Sequence, residues 1–520
     1  MISPQARVRV HDHFQLELKL DYPLRDAPPL RTGGRTPAQG FQAWFFFPSS
    51  LGIDEPAFGK EEFYGDIAAY IRFQTPKMSL EQLFADAAGG SPFAWLQRNE
   101  QALTSGAATP ADFAMALREL RLLAAVFRAN VRDESHYLFR QLERENVGRS
   151  TLDDLSDAAT RFLGVSRDAL KRFRGLRRRF LDARTPAGLS EALVAIDDFL
   201  SLQAIESWFR LMEGLTRHPG EATAAGVERL RAAIHVEGVY REGAGHAGAL
   251  ETHDVAGNER FVQRLNLLKK YVLAVLHLRL ASSRRRERVQ DVFFGLAAAV
   301  AMTVAVTLQL VALWTVGTPA GPQAGGTTLF AFVALAVGSY ILKDRMKDRL
   351  KHWFVTGIPQ WLYDRRQDLC VEAGGDTIGS VEETVRLVRT HELPPVVARL
   401  REHDEEPLFA SHRADEDVVH YRRSLNVKRA KALSYAPEMT AVNEIVRFNV
   451  QRWLRRMDEP VRELYRLDEA GQVERVVAPK TYRVTLILGI DGVDGPPRYE
   501  KVAVVLSRAG IVRVEMLGAF

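Results

Sequence analysis

Alternation of apolar and polar positions opens the chain. "RVRVHDHFQLELKLDY" alternates over much of its length, and "FQAWFFFP" is a short aromatic run of the kind that fills a buried strand. Between them, "PLRDAPPLRTGGRTPAQG" is a loop by its prolines and glycines. Residues 1–78 therefore form a strand-rich segment. From Ser79 the period lengthens. In "PADFAMALRELRLLAAVFRANV", Phe113, Leu117, Leu120 and Ala124 fall on one helical face. "GLSEALVAIDDFLSLQAIESWFRLMEGL" is a second amphipathic helix or helix pair, with Ser190 as a candidate N-cap and Gly214 as a stop. "NERFVQRLNLLKKYVLAVLHLRLASSRRRERV" has neither Pro nor Gly and predicts one helix continuing into the apolar stretch beyond it. Residues 79–290 are thus a helical cytoplasmic domain.

The pattern then loses its polar half. From Val292 to Leu342 there is no Asp, Glu, Lys, Arg or His. Val292–Val316 is long enough to cross a hydrocarbon core of about 30 Å as a helix. "GTPAGPQAGG" breaks it, and Thr327–Leu342 makes a second, shorter run that Lys343 can extend by snorkelling. A buried hairpin in a soluble core is the plainer alternative, but basic residues at both ends favour a transmembrane hairpin over 291–342. Arg284, Arg285, Arg286 and Arg288 precede it, and Lys343, Arg345 and Lys347 come after it, while the connecting loop is uncharged. Those cations predict both termini on the cytoplasmic side of an inner membrane and contact with anionic headgroups. Ala297, Ala301 and Ala305 on the first run, and Ala334 and Gly338 on the second, have the small-residue spacing of packed membrane helices. Gln309 is the polar group that would bond between them.

Beyond the hairpin, residues 343–460 read as a helical juxtamembrane and cytoplasmic region. Residues 461–520 read as an antiparallel meander punctuated by "DEAGQ", "DGVDGPP" and "RAG". The expected fold class is α+β, mostly helical, in a membrane protein.

Composition changes this picture little. The 520 residues are 46% hydrophobic and 26% charged, the profile of folded domains, and 70 basic residues nearly offset 65 acidic ones for a net +5. That balance argues against a nucleic-acid partner. The heavy arginine and alanine usage is a compositional hint of a bacterial source. A single cysteine, Cys370, forbids an intrachain disulfide and reads as an ordinary half-buried thiol. The charged N-terminus predicts no cleaved export signal.

Candidate chemistry is sparse. His235, His246 and His253 lie near Glu237, Glu242, Glu251 and Asp254, but at irregular spacing on a glycine-rich stretch; they are the first candidates for a metal, beside the plainer reading of solvated loop histidines. His403, His412, Asp415, Asp417 and His420 form a second polar run that reads as solvated surface. Lys171, Arg172, Arg174, Arg177, Arg178 and Arg179 make a basic patch suited to anionic lipid, RNA or an acidic protein, of which the nearby membrane favours lipid or protein, with a solvated face as its plainer reading. No P-loop, GxSxG elbow or kinase signature is present, and no cofactor is evident. The expectation is an inner-membrane scaffold, recruiter or regulator that binds lipid and a protein partner or another copy of itself. A membrane-tethered hydrolase-like enzyme and an oligomeric transporter or channel subunit are the alternatives.

Overall fold

The N-terminal alternation becomes β1 (Ala6–Asp12) and β2 (Gln15–Pro23), and the aromatic run becomes β3 (Gln39–Pro48). The computed structural model of the protein describes residues 6–24, 39–53, 59–85, 90–105, 107–144, 148–181, 185–246, 250, 252–282, 285–316, 326–357, 363–371, 375–402, 416–491 and 497–520. After α1 (Lys60–Gly65) and β4 (Ile67–Phe73) come seven helices: α2 (Leu80–Leu83), α3 (Pro92–Thr104), α4 (Pro110–Leu142), α5 (Arg149–Leu181), α6 (Ala187–Thr216), α7 (Glu221–Gly243) and α8 (Val255–Leu273). The chain returns to strand at β5 (His277–Ser282) and then enters α9 (Arg285–Val316) and α10 (Gly326–Gly357). The remainder is β6 (Arg365–Val371), β7 (Thr377–Val388), α11 (Pro395–Glu402), β8 (Glu416–Val427), α12 (Arg429–Tyr435), β9 (Ala441–Asn449), β10 (Val461–Leu467), β11 (Val473–Pro479), β12 (Tyr482–Ile490), β13 (Arg498–Ser507) and β14 (Gly510–Ala519).

The protein is a mixed α/β chain that divides into two compact units: Met1–Ile71 with Leu278–Pro437 and Asn443–Phe520, and Arg72–His277 with Glu438–Val442. In the first, twelve strands form one sheet in the order β1-β2-β9-β4-β5-β6-β7-β8-β3-β12-β13-β14. Neighbours in this order include β4 with β5 and β5 with β6, so the seven helices and the α9–α10 pair are insertions between adjacent strands. The sheet curls until its ends meet, where Ile511 N–H donates to the His13 carbonyl at 2.7 Å. Gly510 permits that approach. Its φ is 138°, and a Cβ there would lie 2.4 Å from the His13 oxygen.

Alternation decides what the curl encloses. Phe41, Phe45 and Phe47 of β3 face inward; Phe45 meets Phe448 of β9 edge-on at 5.1 Å, and Phe47 meets Trp453 at 4.9 Å. Trp44 and Phe46 point the other way and are covered by Leu393 and by Val397 and Leu400 of α11. The C-terminal meander is β12–β13–β14, joined through β12 to β3. The hairpin β10–β11 forms its own two-stranded sheet and is largely exposed.

The second unit is built around α6. Its Ile196, Phe199, Leu200, Ala204, Trp208 and Leu211 are buried, as befits a helix packed on several sides. Trp208 Nε1 donates to Ser166 Oγ of α5 at 2.9 Å. Helix α4 starts at a capping box in which Thr109 and Asp112 exchange hydrogen bonds, with Pro110 in the first turn.

Three expectations need correction. Residues 343–460 are not mainly helical: α10 continues to Gly357, but β6, β7, β8 and β9 come after it. The stretch before α9 is not one helix, because α8 ends at Leu273 and "HLRLAS" pairs in the sheet with β6. Sheet pairing there overrides local helix propensity. Ser190 and Gly214 lie inside α6 rather than at its ends; a Cβ on Gly214 would come 2.9 Å from Leu142 of α4, so this glycine serves close helix packing.

Candidate functional site

Helices α9 and α10 cover both uncharged runs and pack on each other. Ala297, Ala301 and Ala305 are buried along α9. Gln309 Nε2 donates to Ser339 Oγ of α10 at 3.2 Å. On α10 the expected seam is shifted by one position: Ala334 and Gly338 are exposed, whereas Ser339 is buried and Ala336 and Lys343 are half-buried. Ser339 completes the 336–339–343 face, and its hydroxyl also donates to the Ala336 carbonyl. Serine is also small enough for a helix seam, and a search for Ala and Gly spacing alone passes over it.

The rest of the pair is uncovered apolar surface. Leu296, Val300, Leu310, Trp314, Phe330 and Ile341 are each 44–92% exposed. Thr303 and Thr307 donate back to carbonyls of their own helix, so these two hydroxyls are met on that surface. Among the described residues, Phe294–Val311 is a window of mean hydropathy 2.0 on a helix long and apolar enough to cross a membrane, and only 17% of it is buried. It is the one such window found among them; on α10 the uncharged part runs from Gly326 to Leu342. Lys343 lies 4.1 Å from the centre of the Tyr340 ring, and Arg345 is exposed while Lys347 is half-buried. Arg284 lies outside the described residues; Arg285, Arg286 and Arg288 occupy the first turn of α9.

The basic run on α5 divides by helical face. Arg174 and Arg177 turn inward, while Lys171, Arg172, Arg178 and Arg179 are exposed. Asp197 of α6, fully buried, accepts from Arg174 Nε at 3.1 Å and Tyr240 OH at 2.6 Å, and pairs with Arg177 at 3.3 Å. Arg174 also binds Glu237 of α7, which accepts from Ser201 Oγ at 2.5 Å. Asp198, next in the chain, takes Arg241 at 2.9 Å and Arg264 at 2.7 Å. Burial pushes the Asp197 carboxyl up, but His246, Tyr240 and the two guanidiniums together hold it below the usual range. Burial and the hydrogen bond to Asp197 push the Tyr240 hydroxyl up to about 12. Outside, Arg172 pairs with Asp168 and Arg179 with Glu100. Four of the six cations are thus engaged within the unit.

The same network accounts for one of the three histidines. His246 is buried with Nε2 3.2 Å from Asp197 Oδ2, whereas His235 and His253 are exposed. No group of three or more His, Cys, Asp or Glu side chains converges to hold a metal among the described residues. His246 and Asp197 have the geometry of an oriented acid–base pair. Tyr240 OH donates to the same Asp197 oxygen and Ser201 Oγ donates to Glu237, so among the described contacts neither hydroxyl is bonded to the imidazole, and the cluster ties α5, α6, α7 and α8 together. In the second polar run, His403, His412 and Asp415 lie outside the described residues. His420 is not solvated: it stacks on Trp44 at 4.8 Å and 6°. Cys370 is half-buried on β6.

A second buried ionic centre sits inside the curled sheet. Arg423 of β8, 1% exposed, bonds Glu383 of β7 through Nη1 and Glu444 of β9 through Nε. Tyr421 OH donates to Glu383 at 2.5 Å and Tyr22 OH to Glu444 at 2.9 Å. Sequence reading missed this centre because its members are far apart in the chain and none carries a motif.

No known family matches the chain, and no curated protein or solved structure shows significant similarity to it.

Proposed function

We propose that α9 and α10 form a hairpin that crosses a bilayer twice and holds both folded units on one side of it. There the protein serves as a scaffold that recruits or regulates a partner. The observation that carries this reading is the Phe294–Val311 window, strongly apolar yet only 17% buried. A core helix of a soluble protein would bury such a surface; an uncovered one costs about 25 cal/mol for each Å² left in water. At 1.5 Å per residue the 18-residue window spans roughly 27 Å, close to a hydrocarbon core. The shorter apolar part of α10 reaches the interface through Lys343 and tilt. Cations at both open ends of the hairpin favour the side that keeps them in the cytoplasm.

Membrane fractionation with alkaline extraction tests the anchor. The full chain should stay with the lipid, and a chain lacking residues 292–342 should not. Recovery of the full chain in the alkaline supernatant overturns the reading, as do C-terminal reporter fusions active only outside the cytoplasm.

A further inference from the structure

Pairing across the sheet places three charges in one row. Arg365 of β6 is opposite Glu383 of β7, and Glu383 is opposite Arg423 of β8, so all three side chains share one face. Above this row lies a cavity of about 100 Å³, walled also by Tyr64, Ala69 and Gln367. Its wall carries the guanidiniums of Arg365 and Arg423 and the Glu383 carboxylate, and Glu444 behind Arg423 makes cations and carboxylates equal in number. Glu383 Oε1 is already taken by Arg423 and Tyr421. Glu444 bonds the Nε edge of Arg423 and is not part of the wall. Arg365 lies 4.1 Å over the Tyr64 ring and has no carboxylate partner among the described residues. Arg423, almost wholly buried, has no hydrogen-bond partner at Nη2.

A buried guanidinium edge without an acceptor is costly, and buried polar atoms in folded proteins are nearly always met. Water fills such cavities where it finds several polar partners, and this volume holds only a few molecules at about 30 Å³ each. A water meets a donor edge with a single oxygen; a carboxylate has two and can accept from Arg423 Nη2 and from Arg365 together. A planar two-oxygen acceptor suits guanidinium donors, and the volume limits it to a few heavy atoms.

We propose that this cavity is a binding site for a small monocarboxylate of about the size of acetate, held by Arg365 and Arg423 with Gln367 as a further donor. The site is independent of the membrane anchor, and the two readings fail separately.

The test uses the full chain purified in mild detergent, which serves whether or not the chain enters a bilayer. Calorimetric titration and thermal unfolding are followed with acetate and propionate, and with phosphate and chloride at matched ionic strength. The carboxylates should bind saturably and raise the unfolding temperature; chloride and phosphate should do so far less. Arg365→Gln, at an exposed position, should keep the ligand-free unfolding temperature near that of the parent and weaken carboxylate binding about tenfold or more. Ala69→Leu, which fills the cavity, should abolish binding without loss of folding. Absence of saturable carboxylate binding overturns the proposal. So does an equal response to chloride or phosphate, or undiminished binding by Arg365→Gln.

Discussion

Arg423 Nε donates to Glu444 Oε1 at 2.5 Å, although four strands, β4 to β7, separate β8 from β9 in the sheet order. Such a bond is possible only across the interior, so it records the closure of the curl as directly as the meeting of its edges. Burial alone would loosen the Arg423 proton; Glu444, Tyr421 and Glu383 more than reverse this and hold it well above the ordinary guanidinium range. Burial and Glu444 likewise push the Tyr22 hydroxyl up, so it remains a donor. The centre joins β2, β7, β8 and β9 at one point of an otherwise aromatic interior.

Truncating that centre should cost far more than trimming its rim. Arg423→Met leaves two carboxylates facing each other without their cation, and a loss of about 3–5 kcal/mol is expected. Tyr22→Phe removes one neutral donor to a charged acceptor and should cost about 1–3 kcal/mol. Urea unfolding read through tryptophan fluorescence compares the two. If Arg423→Met unfolded at the parent midpoint, the ionic centre would have no structural role.

The α5 cations should separate in the same way. Asp197→Ala removes the carboxylate shared by Arg177, Tyr240 and His246 while Arg174 keeps Glu237, with an expected loss of about 1–3 kcal/mol. Lys171→Ala, one turn away on the exposed face, should stay within about 0.5 kcal/mol of the parent. Similar losses for both would mean that the basic run does not divide by helical face.

Acid should act through His420. Burial first, then the Arg422 and Arg386 charges, depress its pKa from 6.5 to about 4. Its Nε2–H donates to Gln42 Oε1 at 3.1 Å, which suits the neutral ring. Because the folded value lies below the unfolded one, the unfolded chain takes up this proton first as the pH falls. The stability contribution is therefore complete above about pH 6.5 and is lost as the pH drops toward 4, by up to about 3 kcal/mol. Other carboxylates titrate in that range, so the reading is a difference: His420→Gln should flatten the slope of stability against pH between 4 and 6.5. An unchanged slope would place the His420 ring in solvent.

Legibility in the sequence depended on the chemistry of each face. Helices α4 and α6 announced themselves because apolar residues recur at helical spacing along a face of each. β1 and β2 did so because Leu16, Leu18 and Leu20 alternate with polar positions. Strands β6 to β9 did not, since inward positions of β7, β8 and β9 hold Glu383, Arg423 and Glu444 among the apolar ones. "HYRRSLNV" presents arginines on both faces, so neither period stands out. Local sequence also has no means of showing that β4 and β5 are sheet neighbours across the helical insertion. The ionic centre was illegible for the same reason: its partners come from strands that only the curl brings together.

The last prediction concerns the seam between α9 and α10. Ala301 is fully buried in it, whereas Ala334, which has the same small-residue spacing, is exposed. Ala301→Leu adds three carbons where the helices are in contact and should disfavour their association by about 1–3 kcal/mol. Ala334→Leu adds them to surface that faces outward and should leave the pair intact. Cysteines at Gln309 and Ser339, in a Cys370→Ser background, report the outcome, because these side chains meet at 3.2 Å. A short thiol cross-linker should join them in the parent and in Ala334→Leu, and several times more slowly in Ala301→Leu. The reverse ranking would return the seam to Ala334 and Gly338 and would remove Ser339 from it.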